Sequence, residues 1–465
     1  MSIILWNQHD IKAALPGVTA SLPFAATGVS IDTRTLKPGD LFIAIKGETM
    51  DGHDFLAKAH ENGACAAIIS QDVPSLPADF PVINVSDTLK AMEELGKYAR
   101  NRCPGTFIGL TGSVGKTTCK TMLAYMLSAF GETYATEGNL NNHIGVPLTL
   151  MRTPQTSQFV IIEMGMNHAE EIRHISKMAQ PHIAMITTVE AVHIEYFKNV
   201  EAIAKAKAEI FEGMVNKGVA VLPFDSPYYL IMEVSADQWG ASKRITFGTS
   251  ANATIRMVHY QQEAQGGHVD AVIEGQPFSY KIGMFGEHMA INSLANLGII
   301  HALSLDVQKA ANLLQGFSAL PGRGKLYPLQ INNINFSLCD DSYNASPASM
   351  RAAITQLSHA KGRKIAVLGD MLELGNHALA LHTGLAHDIT KQRIDMVCTS
   401  GHFMRHLHGT LPHHLQGPCA EDPDTLYPQL IACLKAGDTV LVKGSHGSHV
   451  HKIVTRLLEE AKPVS

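Results

Sequence analysis

The segment best equipped for chemistry is the turn TGSVGKTT at residues 111–118. Its glycines allow the backbone to wrap closely around a phosphate, and the first amides of a following helix would face the anion. Lys116 can neutralise terminal phosphates, and the Thr117 hydroxyl can bind magnesium. The usual spacing would put a glycine at Leu110, but an apolar run before the turn and a helical segment after it favour a nucleoside triphosphate site. The predicted nucleotide-binding residues are Gly112, Ser113, Val114, Gly115, Lys116, Thr117 and Thr118.

One acidic residue is placed where it could hold the metal of such a nucleotide. Glu163 ends the apolar run FVIIE at 159–163, which is typical of a buried parallel strand. A carboxylate at the carboxyl end of a parallel strand, in a phosphate-loop domain, is well placed to bind magnesium. Because kinases, GTPases and motor ATPases share this kind of loop, these residues predict nucleotide use without naming the reaction.

The elements that must position these residues are short apolar runs, each ending in glycine or a polar turn and followed by a helical stretch. They form three groups, at 40–86, 107–224 and 364–445. Continuous apolar strands that alternate with helices indicate parallel sheets covered on both faces. Residues 253–283 instead alternate apolar with polar side chains, which predicts antiparallel strands near the end of the middle domain.

Three such groups predict an α/β protein of three domains. The helical segment 88–102 would carry the chain out of the first domain, and the LPGRGK turn at 320–325 would open the third. The predicted domains are residues 1–86, 87–319 and 320–465.

Bulk properties narrow the class of protein. The 465 residues carry a formal net charge of -5 with no cluster of Lys and Arg, which argues against a nucleic-acid partner. The seven cysteines are scattered without CxxC spacing, as expected of reduced thiols. Neither a secretion signal nor an apolar run of membrane-spanning length is evident, so the sequence predicts a soluble cytoplasmic protein.

Further segments, in the order in which they follow along the chain, resemble the Mur ligase family. They include SIDTR at 30–34, GNLNNHIGVP at 138–147, DDSYNASP at 340–347 and GDMLELG at 369–375. Together with TGSVGKTT, the resemblance runs from about residue 28 to about residue 445. The last two segments resemble the dipeptide-adding type within the family.

The resemblance implies a fold and an activity. The fold would comprise an N-terminal α/β domain that binds a UDP substrate, a central P-loop ATP-binding α/β domain and a C-terminal Rossmann-like domain. The activity would be ATP-dependent formation of an amide between UDP-N-acetylmuramoyl-tripeptide and D-alanyl-D-alanine through an acyl phosphate, in cytoplasmic peptidoglycan precursor synthesis. The resemblance also implies a monomer that uses ATP and Mg²⁺ and has no membrane partner.

The resemblance assigns binding roles residue by residue. Asn292 would read the adenine edge, Arg323 would reach the nucleotide phosphates, and Asp341 and Asn344 would touch the nucleotide as the domains close. The residues expected to contact the UDP-linked substrate or its phosphates are Ser30, Asp32, Thr33, Arg34, Lys46, Asn139 and Asn142.

The same resemblance implies two magnesium sites and a modified lysine. Thr117 and Glu163 would hold one ion, and His193 with a carbamylated Lys207 would hold the other. A carbamate forms only on a neutral amine, so the pKa of Lys207 must fall locally. The catalytic residues would then be Lys116, Glu163, His193 and Lys207.

The chain departs from the family pattern at a few positions. Glu190 replaces the usual glycine and Lys198-Asn199 replace Gly-Ser, near His193. His446 stands where arginine is usual, and because histidine is mostly neutral at pH 7, a permanent cation is lost there.

Four alternatives stay open at this point. A sister ligase that adds the diamino residue shares the loop and the modified lysine, but its DNPR motif is absent here. Folylpolyglutamate synthetase lacks the UDP-binding module that this chain resembles. A phosphate-loop ATPase acting as a switch would need no amino-acid acceptor. A UDP-sugar-binding protein with a degenerate ATP site is disfavoured by the intact set Lys116, Thr117, Glu163, His193 and Lys207.

Overall fold

The computed structural model describes residues 4–47, 49–72, 76–263 and 265–464. The first part of the chain forms β1 (Trp6–Asn7), α1 (Gln8–Ala14), β2 (Ala25–Ala26), β3 (Gly28–Ser30), β4 (Asp40–Ile43), α2 (Leu56–Glu61), β5 (Ala66–Ile69), β6 (Val82–Asn84) and α3 (Thr88–Arg102). Strands β3 to β6 form a parallel four-stranded sheet in sequence order. Helix α3 has the predicted bounds because the Asp87 side chain accepts hydrogen bonds from the amides of Leu89 and Lys90 and caps its start.

The middle of the chain builds a nine-stranded sheet in the order β15-β14-β13-β12-β11-β10-β7-β9-β8. Pairing is parallel from β8 to β13 and antiparallel from β13 to β15, which confirms the antiparallel strands predicted in 253–283. The elements are β7 (Thr106–Thr111), α4 (Lys116–Leu127), β8 (Thr133–Ala135), α5 (Gly145–Arg152), β9 (Phe159–Glu163), α6 (Glu171–Ala179), β10 (Ile183–Ile186), α7 (Val200–Ala208), β11 (Val219–Pro223), α8 (Tyr229–Gln238), β12 (Lys243–Gly248), β13 (Ile255–Glu263), β14 (Gly266–Ile273), β15 (Gln276–Ile282), α9 (Glu287–Ala302) and α10 (Val307–Leu313).

Apolar side chains cover both faces of this central sheet, as the continuous apolar runs predict. In β9, Val160 and Ile162 pack into one buried cluster, whereas Ile161 packs into another on the opposite face. Phe107 and Ile108 divide in the same way along β7. Successive strand residues point to opposite faces, so a strand buried on both sides needs apolar residues at every position.

The strand order creates a crevice at one edge of the central sheet. Strand β7 lies between β9 and β10, so the chain leaves β7 toward one side first and returns to its other side later. In open parallel sheets, such a reversal opens a ligand-binding crevice at the carboxyl ends of the strands. Strand β7 ends at Thr111, β9 at Glu163 and β10 at Ile186, so the phosphate loop and Glu163 share this edge.

The last part of the chain forms a seven-stranded sheet in the order β20-β19-β18-β21-β17-β16-β22. Strands β17 to β21 pair in parallel, and β16 and β22 join one edge antiparallel. The elements are β16 (Lys325–Ile331), β17 (Ile334–Asp340), α11 (Pro347–Ser358), β18 (Lys364–Gly369), α12 (Ala378–Thr383), α13 (Leu385–Lys391), β19 (Met396–Ser400), α14 (His402–Thr410), β20 (Gln416–Ala420), α15 (Pro423–Cys433), β21 (Thr439–Lys443), α16 (His451–Glu460) and β22 (Lys462–Pro463).

The three sheets agree with the predicted α/β class. The predicted boundaries fall between them: 86/87 lies between β6 and α3, and 319/320 lies between α10 and β16. These boundaries remain predictions. Across the described ranges, the helices include none with the length and apolar character needed to cross a membrane.

Candidate active site

The turn at 111–118 links β7 to α4 and depends on two glycines. Gly112 has φ +152°, and a side chain there would bring a Cβ 1.8 Å from the Thr187 hydroxyl oxygen. Gly115 has φ +87° and directly precedes α4, and a Cβ there would lie 2.9 Å from Oδ1 of Asn292. Only glycine fits both the backbone conformation and the space. The same distances place Asn292 of α9 directly against the loop.

The segment after β10 holds the first half of this loop. The Ser113 amide donates to the Thr188 carbonyl at 2.9 Å, and the Val114 amide donates to the Thr188 hydroxyl at 3.0 Å. The Thr187 hydroxyl donates to the Val114 carbonyl at 2.6 Å. The amides of Ser113 and Val114 are therefore engaged within the protein. The first amides of α4 have no carbonyl partner within the helix and are the ones available to a phosphate.

Glu190, one of the departures from the family pattern, also forms hydrogen bonds with the phosphate loop. Its backbone amide donates to the Ser113 hydroxyl at 2.9 Å, and that hydroxyl donates to the Glu190 carbonyl at 3.1 Å. Burial raises the pKa of its carboxyl group, against the opposing charge of Arg351. Because the contacts with Ser113 use only the backbone of Glu190, they do not depend on which side chain stands at this position.

Two cations from different parts of the chain meet at the loop. The Lys116 ammonium donates to the Gly112 carbonyl at 2.7 Å, and burial lowers its pKa, with the charge of Arg323 acting in the same direction. The Arg323 guanidinium donates to the Thr117 hydroxyl at 3.0 Å and stacks over Tyr343 with 4.2 Å between Cζ and the ring centroid. The expected approach of Arg323 to the phosphate loop is therefore present in this structure.

Glu163 is surrounded by three polar side chains. Its Oε1 accepts hydrogen bonds from the Thr117 hydroxyl at 3.1 Å and from the Asn141 amide at 2.8 Å. Its Oε2 lies 3.1 Å from the Lys120 ammonium, which also donates to the Gly138 carbonyl at 2.8 Å. Oε2 is buried without a hydrogen bond of good geometry. The carboxylate thus has one oxygen with unused capacity next to the loop.

We predict that replacing Lys120 by methionine lowers the free energy of unfolding by about 3–5 kcal/mol, because the charge of Glu163 stays buried without its partner. The two side chains are only 5% and 1% exposed. Urea unfolding of the purified variant would measure the loss. Lys97→Met is the matched control, since Lys97 pairs with Glu94 on the surface and should cost less than about 1 kcal/mol. Equal midpoints for the two variants would contradict the prediction.

Lys207 and His193 follow β10 along the chain, and β10 ends at this edge of the sheet. Lys207, in α7, is 3% exposed, and burial holds its pKa well below the usual range, with the charge of Lys116 acting in the same direction. His193 is partly buried, and its Nδ1 lies 2.5 Å from Oε2 of Glu373. Over the described parts of the chain, no group of three or more His, Cys, Asp or Glu side chains forms a metal cluster. A metal here would need ligands from a bound phosphate or from a modified side chain.

Five of the side chains expected at the UDP-linked substrate lie at or after the carboxyl ends of the neighbouring parallel strands β3 and β4. Ser30 ends β3, and the next residues form a turn in which the Ser30 hydroxyl donates to the Asp32 carbonyl at 3.0 Å. Arg34 is 86% exposed and donates to Asp32 at 2.6 Å, a contact that lowers the pKa of that carboxyl group. Thr33 lies between them, and Lys46 is exposed after the neighbouring strand β4. The exposed cations are accessible to a ligand.

Three asparagines follow β8, and their side chains lie in different environments. Asn142 accepts hydrogen bonds from the amides of Ile144 and Gly145, at 3.2 and 2.9 Å, and so supports the start of α5. Asn139 is exposed. Asn141, which the sequence reasoning passed over, is the member that contacts Glu163.

The DDSYNASP segment is anchored by a lysine that was not predicted. The Lys443 ammonium, almost fully buried, lies 2.7 Å from Oδ2 of Asp341 and donates to the Asn344 carbonyl at 3.0 Å. Asn344 accepts from the Ala345 amide at 2.8 Å. Lys443 ends β21, three residues before His446. His446 lies with its ring centroid 6.0 Å from that of Tyr343.

The chain belongs to the Mur ligase family. Family models match it in three stretches: the "Mur ligase family, catalytic domain" at 25–100, the "Mur ligase middle domain" at 110–300 and the "Mur ligase, glutamate ligase domain" at 329–446. The matches confirm the family resemblance of the sequence and, with the three α/β sheets, the expected fold class.

Curated relatives and solved structures point to one branch of the family. The UDP-N-acetylmuramoyl-tripeptide–D-alanyl-D-alanine ligase of Escherichia coli is 34% identical over 99% of this chain and 99% of its own length. The ligase of the same name from Bacillus subtilis is 34% identical over 97% and 98%. A crystal structure of MurF from Acinetobacter baumannii superposes with a TM-score of 0.86 at 28% identity, covering 98% of this chain and 99% of that one. MurF ligase from Thermotoga maritima in complex with ADP gives 0.79 at 25% identity, covering 93% and 97%.

Proposed function

We propose that this chain is an ATP-dependent ligase that joins D-alanyl-D-alanine to UDP-N-acetylmuramoyl-tripeptide, the reaction named for its full-length relatives. The observation that supports this most is the convergence of the phosphate loop, Glu163 and Arg323 at the carboxyl end of β7. These groups come from three separate parts of the chain. Together they form a site for a nucleoside triphosphate between the central and C-terminal sheets, where ATP would bind.

In the first step, a carboxylate oxygen of the tripeptide attacks the γ-phosphorus of ATP. The bond from that phosphorus to the β–γ bridging oxygen breaks, ADP leaves with the electron pair, and an acyl phosphate forms. Lys116 and Arg323 would neutralise the charge on the transferring group, and the amides that open α4 would hold the phosphates in place. Positioning and charge neutralisation supply most of the catalysis in such transfers.

In the second step, the amine of D-alanyl-D-alanine attacks the acyl carbon. The amine loses its proton, the amide bond forms, and phosphate leaves with one oxygen that belonged to the carboxylate. Asp341 and Asn344, held by Lys443, lie on the C-terminal side of the cleft and would contact the nucleotide. Asn292, against Gly115, would contact the adenine.

The residues present fit the metals and the modified lysine that the family resemblance implies. Thr117 and Glu163 would hold one Mg²⁺, since Oε2 of Glu163 is buried with unused capacity. His193 and a carbamylated Lys207 would hold a second, and the neutral amine of Lys207 is the form that can add carbon dioxide. When bound, the two ions supply positive charge for the γ-phosphate and the attacking carboxylate.

Residues of the first sheet and of the turn after β8 would bind the UDP-linked substrate. The UDP-linked substrate would contact Ser30, Asp32, Thr33, Arg34, Lys46, Asn139 and Asn142. We further propose that the protein acts as a monomer in the cytoplasm, as the family resemblance implies.

Transfer of an oxygen isotope tests the acyl-phosphate route. With ¹⁸O in the terminal carboxylate of the tripeptide, each amide formed should release a phosphate that carries one ¹⁸O atom, because that oxygen bridges carbon and phosphorus in the intermediate. Mass spectrometry of the phosphate measures the label. Unlabelled phosphate, formed together with the amide, would show that the carboxylate is activated in another way.

A further inference from the structure

A carboxylate of the C-terminal segment reaches His193. Oε2 of Glu373, in the GDMLELG loop after β18, lies 2.5 Å from Nδ1 of His193 in the loop after β10, close enough for an ion pair although the angles are not those of a well-formed hydrogen bond. The contact lowers the pKa of the Glu373 carboxyl group. The two loops also meet through their backbones, because the Glu195 amide lies 3.4 Å from the Glu373 carbonyl and Gly375 packs against Glu195. The pair therefore lies within an interface between the central and C-terminal domains.

The interface also contains apolar contacts beside the ion pair. Ile194, next to His193, packs against the buried cluster under the GDMLELG loop, which includes Met371 and Leu374. Both members of the pair have left-handed backbones, with φ +58° at His193 and +60° at Glu373. Residues other than glycine adopt this conformation at a cost and keep it only where their surroundings impose it. The backbone is therefore strained at both residues that form this contact.

We propose that Glu373 is a positioning residue for His193, and that it makes the orientation of His193 conditional on contact between the two domains. A carboxylate beside Nδ1 favours the tautomer that carries its proton on that nitrogen, and this leaves Nε2 as the nitrogen free to bind a cation. Since Glu373 and His193 belong to different domains, this arrangement exists only while they are docked. Domain closure and cation binding are then coupled in both directions. The inference rests on the proposed role of His193 as a metal ligand.

The alternative is that the pair only helps to dock the domains. Glu373→Gln separates the two readings because it keeps the size of the side chain and removes its charge. Glu195→Gln is the matched control, since it removes the same charge from the same interface, and the exposed Glu195 side chain has no ion pair among the described residues. Thermal unfolding of both variants would verify that they fold.

Titration of Mn²⁺, followed by electron paramagnetic resonance on the full-length protein with a non-hydrolysable ATP analogue, tests the inference. We expect Glu373→Gln to weaken by about tenfold the binding of the ion that His193→Ala abolishes, while nucleotide affinity and the Glu195→Gln control stay unchanged. Wild-type Mn²⁺ affinity in Glu373→Gln, with a loss in His193→Ala, would overturn the role of Glu373 and leave the proposed metal ligand intact. Wild-type affinity in His193→Ala would overturn both.

Discussion

Replacing Lys116 by methionine will lower the turnover of the ligase by about a thousandfold, the scale on which loss of one preorganised charge at a phosphoryl-transfer or oxyanion site acts. Methionine keeps an unbranched side chain of similar length and removes only the ammonium. In the structure, this ammonium donates to the Gly112 carbonyl and so lies within the loop that would hold the phosphates. Arg323, which also contacts the loop, would then face alone the charge that the two cations are proposed to neutralise together.

Phosphate release with all substrates present would measure this loss. Lys205→Met is the matched control, because Lys205 is an exposed lysine of α7 and pairs on the surface with Glu201, one helical turn away. Its turnover should stay within about twofold of the wild type, as expected for a surface pair that contributes little. If Lys116→Met retained more than a tenth of the wild-type turnover, Lys116 would not be the cation that neutralises the transferring phosphoryl group.

Replacing Lys207 by alanine will lower turnover by about a hundredfold to a thousandfold, and short carboxylic acids such as acetate will restore part of it. Lys207 is buried and its pKa is lowered, which favours the neutral amine that a carbamate requires. Alanine leaves a space in which an added carboxylate can take the place of the carbamate oxygens. Lys205→Ala, two residues away on the exposed face of the helix, should neither lose activity nor respond to acetate.

A second measurement detects the carbamate on Lys207 directly. Wild-type protein supplied with ¹³C-bicarbonate should give a carbamate carbon resonance that is absent from Lys207→Ala and present in Lys205→Ala. An inactive Lys207→Ala variant without acetate rescue, together with a wild-type protein that gives no carbamate resonance, would show that Lys207 acts as an unmodified amine.

Much of the nucleotide site could be predicted from sequence because it is local. The phosphate loop needs glycine at fixed positions for reasons of backbone conformation and space, and the chain carries Gly112 and Gly115 where the structure requires them. Glu163 was predicted from its place at the end of an apolar run, which is again a local pattern.

The residues that sequence reasoning missed act through tertiary contacts. Lys120 lies one helical turn beyond Lys116, on the same face of α4, and this spacing was an available indication. Its partner, however, comes from β9, and nothing local connects the two. Asn141 was hidden among neighbouring asparagines, and Glu373 within a motif used only for the family resemblance. Which of them contacts the site depends on how separate strands and domains meet.

The fold, like the site, could be predicted where it depends on local sequence and not where it depends on tertiary contacts. Alternating apolar strands and helices predicted three groups of parallel strands, and all three are present as sheets. The hairpin of β16 and β17 was not predicted, although Asn332 and Asn333 between alternating residues are a hairpin indication: both have positive φ, at +50° and +64°, as a two-residue turn requires. The strand orders could not be predicted, because they depend on which edges pair in space.

Substrate-dependent release of phosphate from ATP tests most directly whether the protein is a ligase. ATP would be supplied with UDP-N-acetylmuramoyl-tripeptide, with and without D-alanyl-D-alanine, and the products analysed by mass spectrometry. We predict that phosphate release requires both substrates and matches the formation of a UDP-linked pentapeptide. Phosphate release at the same rate without either substrate, with no new UDP-linked product, would contradict the ligase account and leave an ATPase.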